Sequence, residues 1–270
     1  MGLTAKLLKN ERFFAYTWGY LKHRFRGQRI TAAPVFIVGC GHSGTSVLLR
    51  LLGAHSNIYG VPYESRVFTH PGLKQRLTSM LWNRNTIALR KHRWAEKSPV
   101  HVRMIDRLFA RYPEARVLFI VRDGRDVTVS MRKRFGNFEK GLRRWVDDNR
   151  QGLNWKDDPR VMELRYEDLV KHYDETMPRI CAFIDETFEQ GLIAYHETPA
   201  YIFSQNVEDP GSAAGKGHKD YRNWQLNQKL FDGSGKWLKE MSAEEKQRFK
   251  ADKQATQLLI DFGYATNDDW

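Results

Sequence analysis

The sequence has little cysteine and no long apolar segment, and both absences limit the classes of protein to which it can belong. Its 270 residues include two cysteines, Cys40 and Cys181. Two are too few for a disulfide framework, and no CxxC pair or Cys/His cluster indicates structural zinc. We therefore expect a cytoplasmic protein without a metal site. No segment approaches the roughly 20 apolar residues of a transmembrane helix, and the N-terminus lacks a signal-peptide pattern, so no membrane span is predicted.

Acidic residues are also in the minority, with 32 Asp and Glu against 44 Lys and Arg, for a formal net charge of +12. This excess favours anionic partners, and nucleic acid, anionic lipid, a sulfated glycan and a nucleotide cosubstrate all fit it. Because the sequence contains no recognised DNA- or RNA-binding motif, we predict no nucleic-acid partner. A basic nucleic-acid-binding protein stays as an alternative from a different functional class.

Buried strands alternate with amphipathic helices along most of the chain. Strands are predicted at Pro34–Gly39 and 115–123, and a helix at 98–113. The segment 161–170 is predicted to begin as a third strand and to lead into a turn and a helix. This alternation predicts one α/β domain over residues 31–270, with a central parallel sheet and helices on both faces. Residues 1–30 are interpreted as an amphipathic helical extension that packs on the domain or lies on a membrane surface. Residues 197–223 lack periodicity, which is typical of a lid or binding segment.

A glycine-rich loop, GCGHSGTS at 39–46, separates the first strand from a helical pattern. Its glycines permit a tight turn, and the backbone N–H groups at a helix N-terminus converge on an anion, so the loop predicts phosphate binding. Thr45 stands where the P-loop of kinases and GTPases has lysine. This difference argues against transfer of a γ-phosphoryl group from a magnesium-bound triphosphate, although a P-loop kinase remains an alternative.

Five further motifs follow the loop in a fixed order. They are VPYESRVF (61–68), AEKSP (95–99), VRDGRDVTVSMRKR (121–134), RYEDLV (165–170) and GSGKW (233–237). With GHSGTS, their order and spacing resemble the sulfotransferases that use 3′-phosphoadenosine-5′-phosphosulfate (PAPS), particularly the tyrosylprotein-type branch and its bacterial relatives. The resemblance covers residues 34–264. It implies a single P-loop-type domain that moves a sulfonate group from PAPS to a hydroxyl or amine without a metal, and releases the 3′,5′-bisphosphate (PAP).

The resemblance also implies where the nucleotide binds. The 5′-phosphosulfate matches the loop, and the 3′-phosphate matches Arg122, Ser130 and Arg134. An arginine fork with a hydroxyl suits a phosphate that has several acceptor oxygens. Tyr166 and Lys236 match positions near the nucleotide. The loop residues implied in binding are Gly41, His42, Ser43, Gly44, Thr45 and Ser46.

Three residues match catalytic positions of the family. Glu64 matches the general base, which must take the proton of an acceptor hydroxyl. Lys97 matches a lysine that stabilises charge on the bridging oxygen. His42 is a departure, because the family usually has Arg or Lys there, so its charge and role are open. The rival bases are His42, His55, His92 and His101.

The acceptor is not identified by any motif. A small molecule, a glycan and a tyrosyl peptide all stay open, and we favour a small molecule. Loops at 61–95 and 197–225 are expected to form the acceptor site. The sequence does not indicate an oligomeric state.

Overall fold

A five-stranded, wholly parallel sheet forms the centre of the molecule. The structure is a computed structural model that describes residues 30–70, 72–203, 217–267 and 270, together with Trp18, Leu21 and Lys22. The sheet has the strand order β2-β3-β1-β4-β5. Its strands are β1 (Val35–Gly39), β2 (Ile58–Gly60), β3 (Arg93–Lys97), β4 (Arg116–Val121) and β5 (Val161–Arg165).

Strand β1 lies at the centre because all five of its residues are suited to burial on both faces. It pairs with β3 on one side and β4 on the other, with Ile37 opposite both Lys97 and Leu118. Phe36 and Val38 pack into one apolar layer, and Val35 and Ile37 pack into the layer on the opposite face. This is the continuous apolar pattern of a strand in a parallel sheet, and it explains why this strand could be predicted from the sequence.

Helices cover both faces of the sheet, which confirms the predicted fold class. One layer contains buried residues of α4, α5 and α11, and the other contains buried residues of α1 and α7. The helices are α1 (Thr45–Ala54), α2 (Leu73–Ala88), α3 (Ile105–Arg111), α4 (Gly124–Phe135), α5 (Phe138–Leu153), α6 (Tyr166–Lys171), α7 (Tyr173–Phe183), α8 (His218–Leu226), α9 (Trp237–Glu240), α10 (Ala243–Ala251) and α11 (Lys253–Asp261). Short 3₁₀ helices occur at Val67–Thr69, Pro99–Met104 and Gln190–Glu197.

Several boundaries differ from the sequence-based expectation. The helix predicted at 98–113 begins as the 3₁₀ segment Pro99–Met104 and becomes α-helical only at Ile105. The strand predicted at the start of 161–170 ends at Arg165, and the helix predicted after it, α6, begins at the next residue without an intervening turn. The predicted N-terminal helix lies almost wholly outside the described residues, as does the stretch 204–216 of the predicted loop. No helix in the described ranges has the length and apolar character needed to cross a membrane.

The candidate site lies at one edge of the sheet because parallel strands end there together. The glycine-rich loop follows β1, Lys97 ends β3, and Arg122 follows β4 directly. The chain runs from β1 to β2 and β3 on one side, then crosses to β4 and β5 on the other. In open α/β sheets, ligands bind at the carboxyl ends of the strands beside such a reversal of strand order.

Candidate active site

The loop at 39–46 has the shape that its glycines predict. Gly39 and Gly44 have φ values of 143° and 90°, a region that favours glycine. A Cβ atom at Gly39 would overlap the carbonyl oxygen of Ile120, and one at Gly44 would lie 2.5 Å from the Tyr166 ring. Helix α1 begins at Thr45, so its free N–H groups face the loop. The loop can therefore hold an anion at a helix N-terminus.

Most of the predicted nucleotide-binding residues line one cavity beside this loop. His42, Gly44, Thr45 and Ser46 contribute from the loop. The rest of the lining comes mainly from the end of β4, from α4, α6 and α8, and from the segment around Gly233, with Tyr195 and Glu240 from two further segments. Those lining residues include Arg122, Asp126, Val129, Ser130, Lys133, Tyr166, Tyr221, Arg222, Gln225, Phe231, Gly233, Lys236 and Glu240. Gly41 and Ser43 belong to the loop but do not line the cavity.

Arg122 joins three parts of the cavity wall. Its guanidinium lies 4.5 Å from the centre of the Tyr166 ring. It donates hydrogen bonds to the carbonyl oxygens of His42, at 3.2 Å, and Gly233, at 2.6 Å. Tyr166 accepts a 3.2 Å hydrogen bond from the Gly233 N–H and has its pKa raised, chiefly by burial. The strand end, the loop and the GSGKW segment are thus held at fixed positions.

Asp126 anchors the GSGKW segment from α4. Its carboxylate accepts hydrogen bonds from the N–H groups of Gly235, at 2.7 Å, and Trp237, at 2.9 Å. Burial raises the pKa of this carboxyl even with Arg122 nearby. The anchor places Lys236, between the two bonded residues, at the cavity. We did not predict this role for Asp126 from sequence; its spacing from Arg122 in RDGRD was the available signal.

The predicted 3′-phosphate set is brought together only in part. Arg122 and Ser130 both line the cavity, and the Ser130 hydroxyl lies 2.7 Å from His42 Nδ1. Arg134 does not line it, whereas its neighbour Lys133 does. The cavity face of α4 carries residues 126, 129, 130 and 133, and the next residue turns about 100° away. The charges that act on Arg134 are those of Glu64, Arg144 and Arg66.

Glu64 and Lys97 form an ion pair at the end of β3. Lys97 Nζ lies 2.6 Å from Glu64 Oε1; the lysine side chain is fully buried, and the carboxylate is 20% exposed. Burial lowers the pKa of Lys97 to about 8, against the opposing effect of Glu64. Burial would raise the pKa of Glu64, but the charge and hydrogen bond of Lys97, together with the charges of Arg222 and Arg66, lower that pKa. The two predicted catalytic residues therefore lie in direct contact.

Arg222, which sequence reasoning missed, connects this pair with the cavity. It extends from α8, lines the cavity, and donates a 3.2 Å hydrogen bond to Ser46 Oγ. Its guanidinium lies 4.3 Å from the centre of the Phe203 ring, and Lys97 Nζ lies 5.1 Å from the same ring. Burial is the main cause that lowers the pKa of Arg222 to about 10.

Of the rival histidine bases, His42 lines the cavity, and the other three lie elsewhere. His55 is buried, with Nε2 at 2.9 Å from the Thr187 carbonyl oxygen. His101 is fully buried and pairs with Glu96 at 3.1 Å. His92 is exposed before β3. Across the described ranges, no group of three or more His, Cys, Asp or Glu residues is arranged to hold a metal ion.

These features define a class: an α/β protein with a loop of P-loop type that can hold an anion and, beside it, an ion pair between a buried lysine and a half-buried glutamate. Residues 73–190 match the sequence model described as the sulfotransferase family. No curated protein sequence matches the chain. The match to the family model covers less than half of the chain, and it agrees with the resemblance that the motifs carry.

Solved sulfotransferase structures share the fold at low sequence identity. The sulfotransferase domain of the Synechococcus PCC 7002 olefin synthase is 17% identical, with 87% of this chain and 96% of that chain covered and a TM-score of 0.62. A mouse sulfotransferase complexed with PAP is 15% identical, with 96% and 93% covered and a TM-score of 0.58. The sulfotransferase domain from the curacin biosynthetic pathway is 16% identical, with 88% and 99% covered and a TM-score of 0.57.

Proposed function

We propose that this protein transfers a sulfonate group from PAPS to a hydroxyl or amine of a small-molecule acceptor. The observation that carries the proposal is the position of the Glu64–Lys97 pair, which Arg222 links to the anion-binding loop through Ser46. The PAP bound in the mouse sulfotransferase of similar fold supports the choice of nucleotide. The biosynthetic pathway named for another similar structure supports a small-molecule acceptor.

The chemistry of the cavity suits a nucleotide with two anionic groups. The N-terminus of α1 and the loop amides would hold the 5′-phosphosulfate. Arg122 and Ser130 supply a fork of donors and a hydroxyl for the 3′-phosphate, and Lys133 and Lys236 add charge at the same cavity. The Nδ1 atom of His42 contacts Ser130, and we propose that this histidine lies between the two groups and orients the donor.

The ion pair has to separate before Glu64 can act as the base. While Lys97 donates to Glu64, the pKa of the carboxylate is lowered, and its affinity for a proton is reduced. We propose that Lys97 turns from Glu64 to the bridging oxygen of the bound donor. The acceptor hydroxyl then gives its proton to Glu64 as its oxygen bonds to sulfur. The sulfur–oxygen bond to the leaving bisphosphate breaks, and Lys97 stabilises the charge on that oxygen.

The first experiment compares nucleotides by calorimetry. The 3′-phosphate contributes charge-assisted hydrogen bonds, so PAP should bind about 10- to 100-fold more tightly than AMP. Comparable affinities for the two nucleotides would contradict the assignment. ATP with magnesium tests the kinase alternative, since tight magnesium-dependent ATP binding would favour it.

The second experiment tests the reaction itself. The protein is incubated with PAPS and panels of small hydroxyl and amine compounds, glycans and tyrosyl peptides, and the products are read by mass spectrometry. We expect a sulfonated small molecule, formed equally well in EDTA. A complete loss of product in EDTA that magnesium reverses would contradict the metal-independent mechanism.

A further inference from the structure

We infer that Arg222 is a catalytic residue that binds the transferred sulfonate group, as a second cation beside Lys97. The inference rests on the proposed function and goes beyond it, because no motif assigns a role to α8. It also assigns the two cations different tasks: the buried Lys97 serves the bridging oxygen, and the half-buried Arg222 serves the sulfonate oxygens. Three observations carry the inference, namely the position of Arg222, its charge environment and the aromatic ring that it shares with Lys97.

The position of Arg222 is at the start of helix α1, on the side that faces Glu64. Its Nη2 atom donates to Ser46 Oγ at 3.2 Å, and the side chain also lines the nucleotide cavity. Glu64 and Lys97 lie within electrostatic reach of it on the other side. A donor that is held by the loop, with its sulfonate group directed towards Glu64, would therefore lie beside this guanidinium.

The charge of Arg222 lacks the direct compensation that Lys97 has. Lys97 is neutralised by Glu64 at 2.6 Å. Among the residues that the structure describes, no carboxylate oxygen lies within 4.0 Å of the Arg222 guanidinium. A cation withdrawn from solvent is costly unless an anion pairs with it. The missing partner is supplied when the donor's negatively charged group enters the site.

The ring of Phe203 brings the two cations together. Arg222 lies 4.3 Å and Lys97 5.1 Å from its centre. The charge of Arg222 is one of the causes that lower the pKa of Lys97, as expected for like charges at close range. An anion with several oxygens relieves this repulsion by accepting from both. The planar fork of a guanidinium suits two oxygens of one sulfonate, whereas the lysine acts as a point charge at a single oxygen.

The sulfonate distinguishes the substrate PAPS from the product PAP, and this difference provides the test. Arg222→Gln removes the charge but keeps a polar side chain, and Arg222→Lys keeps the charge but loses the fork. Lys219→Gln is the matched control, because Lys219 is an exposed cation on the same helix. Affinities for PAPS and PAP are measured by calorimetry for all four proteins, and turnover is measured with any acceptor found in the product screen.

We expect Arg222→Gln to weaken PAPS binding about 10- to 100-fold while PAP binding changes by less than about threefold. Arg222→Lys should fall between Arg222→Gln and the unchanged protein, and Lys219→Gln should match the unchanged protein. Retained PAP binding also shows that the variants are folded. Equal losses for PAPS and PAP would overturn the sulfonate assignment, and so would unchanged PAPS binding. If the unchanged protein itself binds PAP no better than AMP, the proposed function fails instead, and the two failures are distinguishable.

Discussion

The site has two sides that meet at Ser46, and they are built in different ways. The nucleotide side is the cavity around Arg122 and Asp126, and the reaction side is the Glu64–Lys97 pair. On the nucleotide side, the polar groups are fixed by hydrogen bonds to the backbone: Asp126 accepts two from the GSGKW segment, and Arg122 donates two to carbonyl oxygens. On the reaction side, Glu64 and Lys97 hold each other in an ion pair, which has to separate before Glu64 can accept a proton in the proposed mechanism. The difference suggests that nucleotide binding relies on a preformed shape, whereas the chemistry relies on charges that change partners.

The largest expected effect is a loss of turnover that leaves nucleotide binding unchanged, and it comes from a substitution of Glu64. Glu64→Gln keeps the size of the side chain but cannot accept a proton, so turnover should fall by about 10²–10⁴. PAP binding should stay close to that of the unchanged protein, because Glu64 does not line the nucleotide cavity. Turnover is measured with the acceptor from the product screen, and PAP affinity by calorimetry.

The control for this variant is Glu114→Gln, which removes an exposed carboxylate before β4. It should leave both quantities unchanged. Near-normal turnover of Glu64→Gln would place the base elsewhere, with His42 next to be tested. A collapse of PAP binding would show instead that Glu64 shapes the donor site, and the comparison between the two sides would no longer hold.

The converse effect, a loss of nucleotide affinity with a smaller change in turnover, should come from a substitution of Asp126. Asp126→Ala removes the acceptor of two backbone N–H groups and releases the segment that carries Lys236. Hydrogen bonds to a charged group contribute about 1.5–3 kcal/mol each, so PAP affinity should fall about 10- to 100-fold. Turnover at saturating PAPS should change less than affinity. Thermal unfolding is recorded alongside, because the carboxylate is also part of the packed interior.

Asp261→Ala serves as the control for Asp126→Ala, since Asp261 is an exposed aspartate at the end of α11. A variant of Asp126 that stays folded and binds PAP normally would show that the GSGKW segment does not need this anchor. The nucleotide side would then be less preformed than its hydrogen bonds indicate.

The pH dependence offers a sharper comparison within the reaction side. Burial lowers the pKa of Lys97 from 10.5 to about 8, so its charge is present below that pH and is lost above it. PAPS binding should therefore weaken as the pH rises through about 8, by at most about tenfold per pH unit. Lys97→Met removes the titrating group, so this step should be absent from its binding profile. A step that persists in Lys97→Met would assign it to another group.

Stability should move in the opposite direction to binding. Between about 8 and 10.5, the unfolded chain keeps the proton on Lys97 while the folded protein has released it. Linkage then requires that the contribution of Lys97 to the free energy of unfolding rises with pH across this window. Comparison of denaturant midpoints for the unchanged protein and Lys97→Met isolates that contribution. Opposite slopes for binding and stability would identify a single buried lysine as the common cause.

The sheet and the loop were predictable because their signals are local. A buried strand next to a glycine turn and a helix leaves a continuous pattern, as at Val35–Ala54. Glu64 and Lys97 could be named only through resemblance, since their pairing joins residues 33 positions apart. Arg222 was missed because its contact with Ser46 spans 176 positions and follows a segment without periodicity. Long-range contacts between charged side chains leave no pattern that one sequence can show.

The smallest expected effect concerns Lys133 and Arg134, adjacent cations near the end of α4. Lys133 lines the cavity, while the charge of Glu64 acts on Arg134 from the reaction side. Lys133→Gln should weaken PAP binding about two- to fivefold, in the range of a partly exposed ion pair, and the loss should shrink at high salt. Arg134→Gln should leave PAP binding unchanged and alter only the acceptor's KM or turnover.

Each variant serves as the control for the other, because both remove one positive charge from the same helical turn. The opposite result, in which Arg134→Gln weakens PAP binding and Lys133→Gln does not, would assign the 3′-phosphate site to Arg122, Ser130 and Arg134, as the motif implied. Arg134 would then belong to the nucleotide side and not to the reaction side.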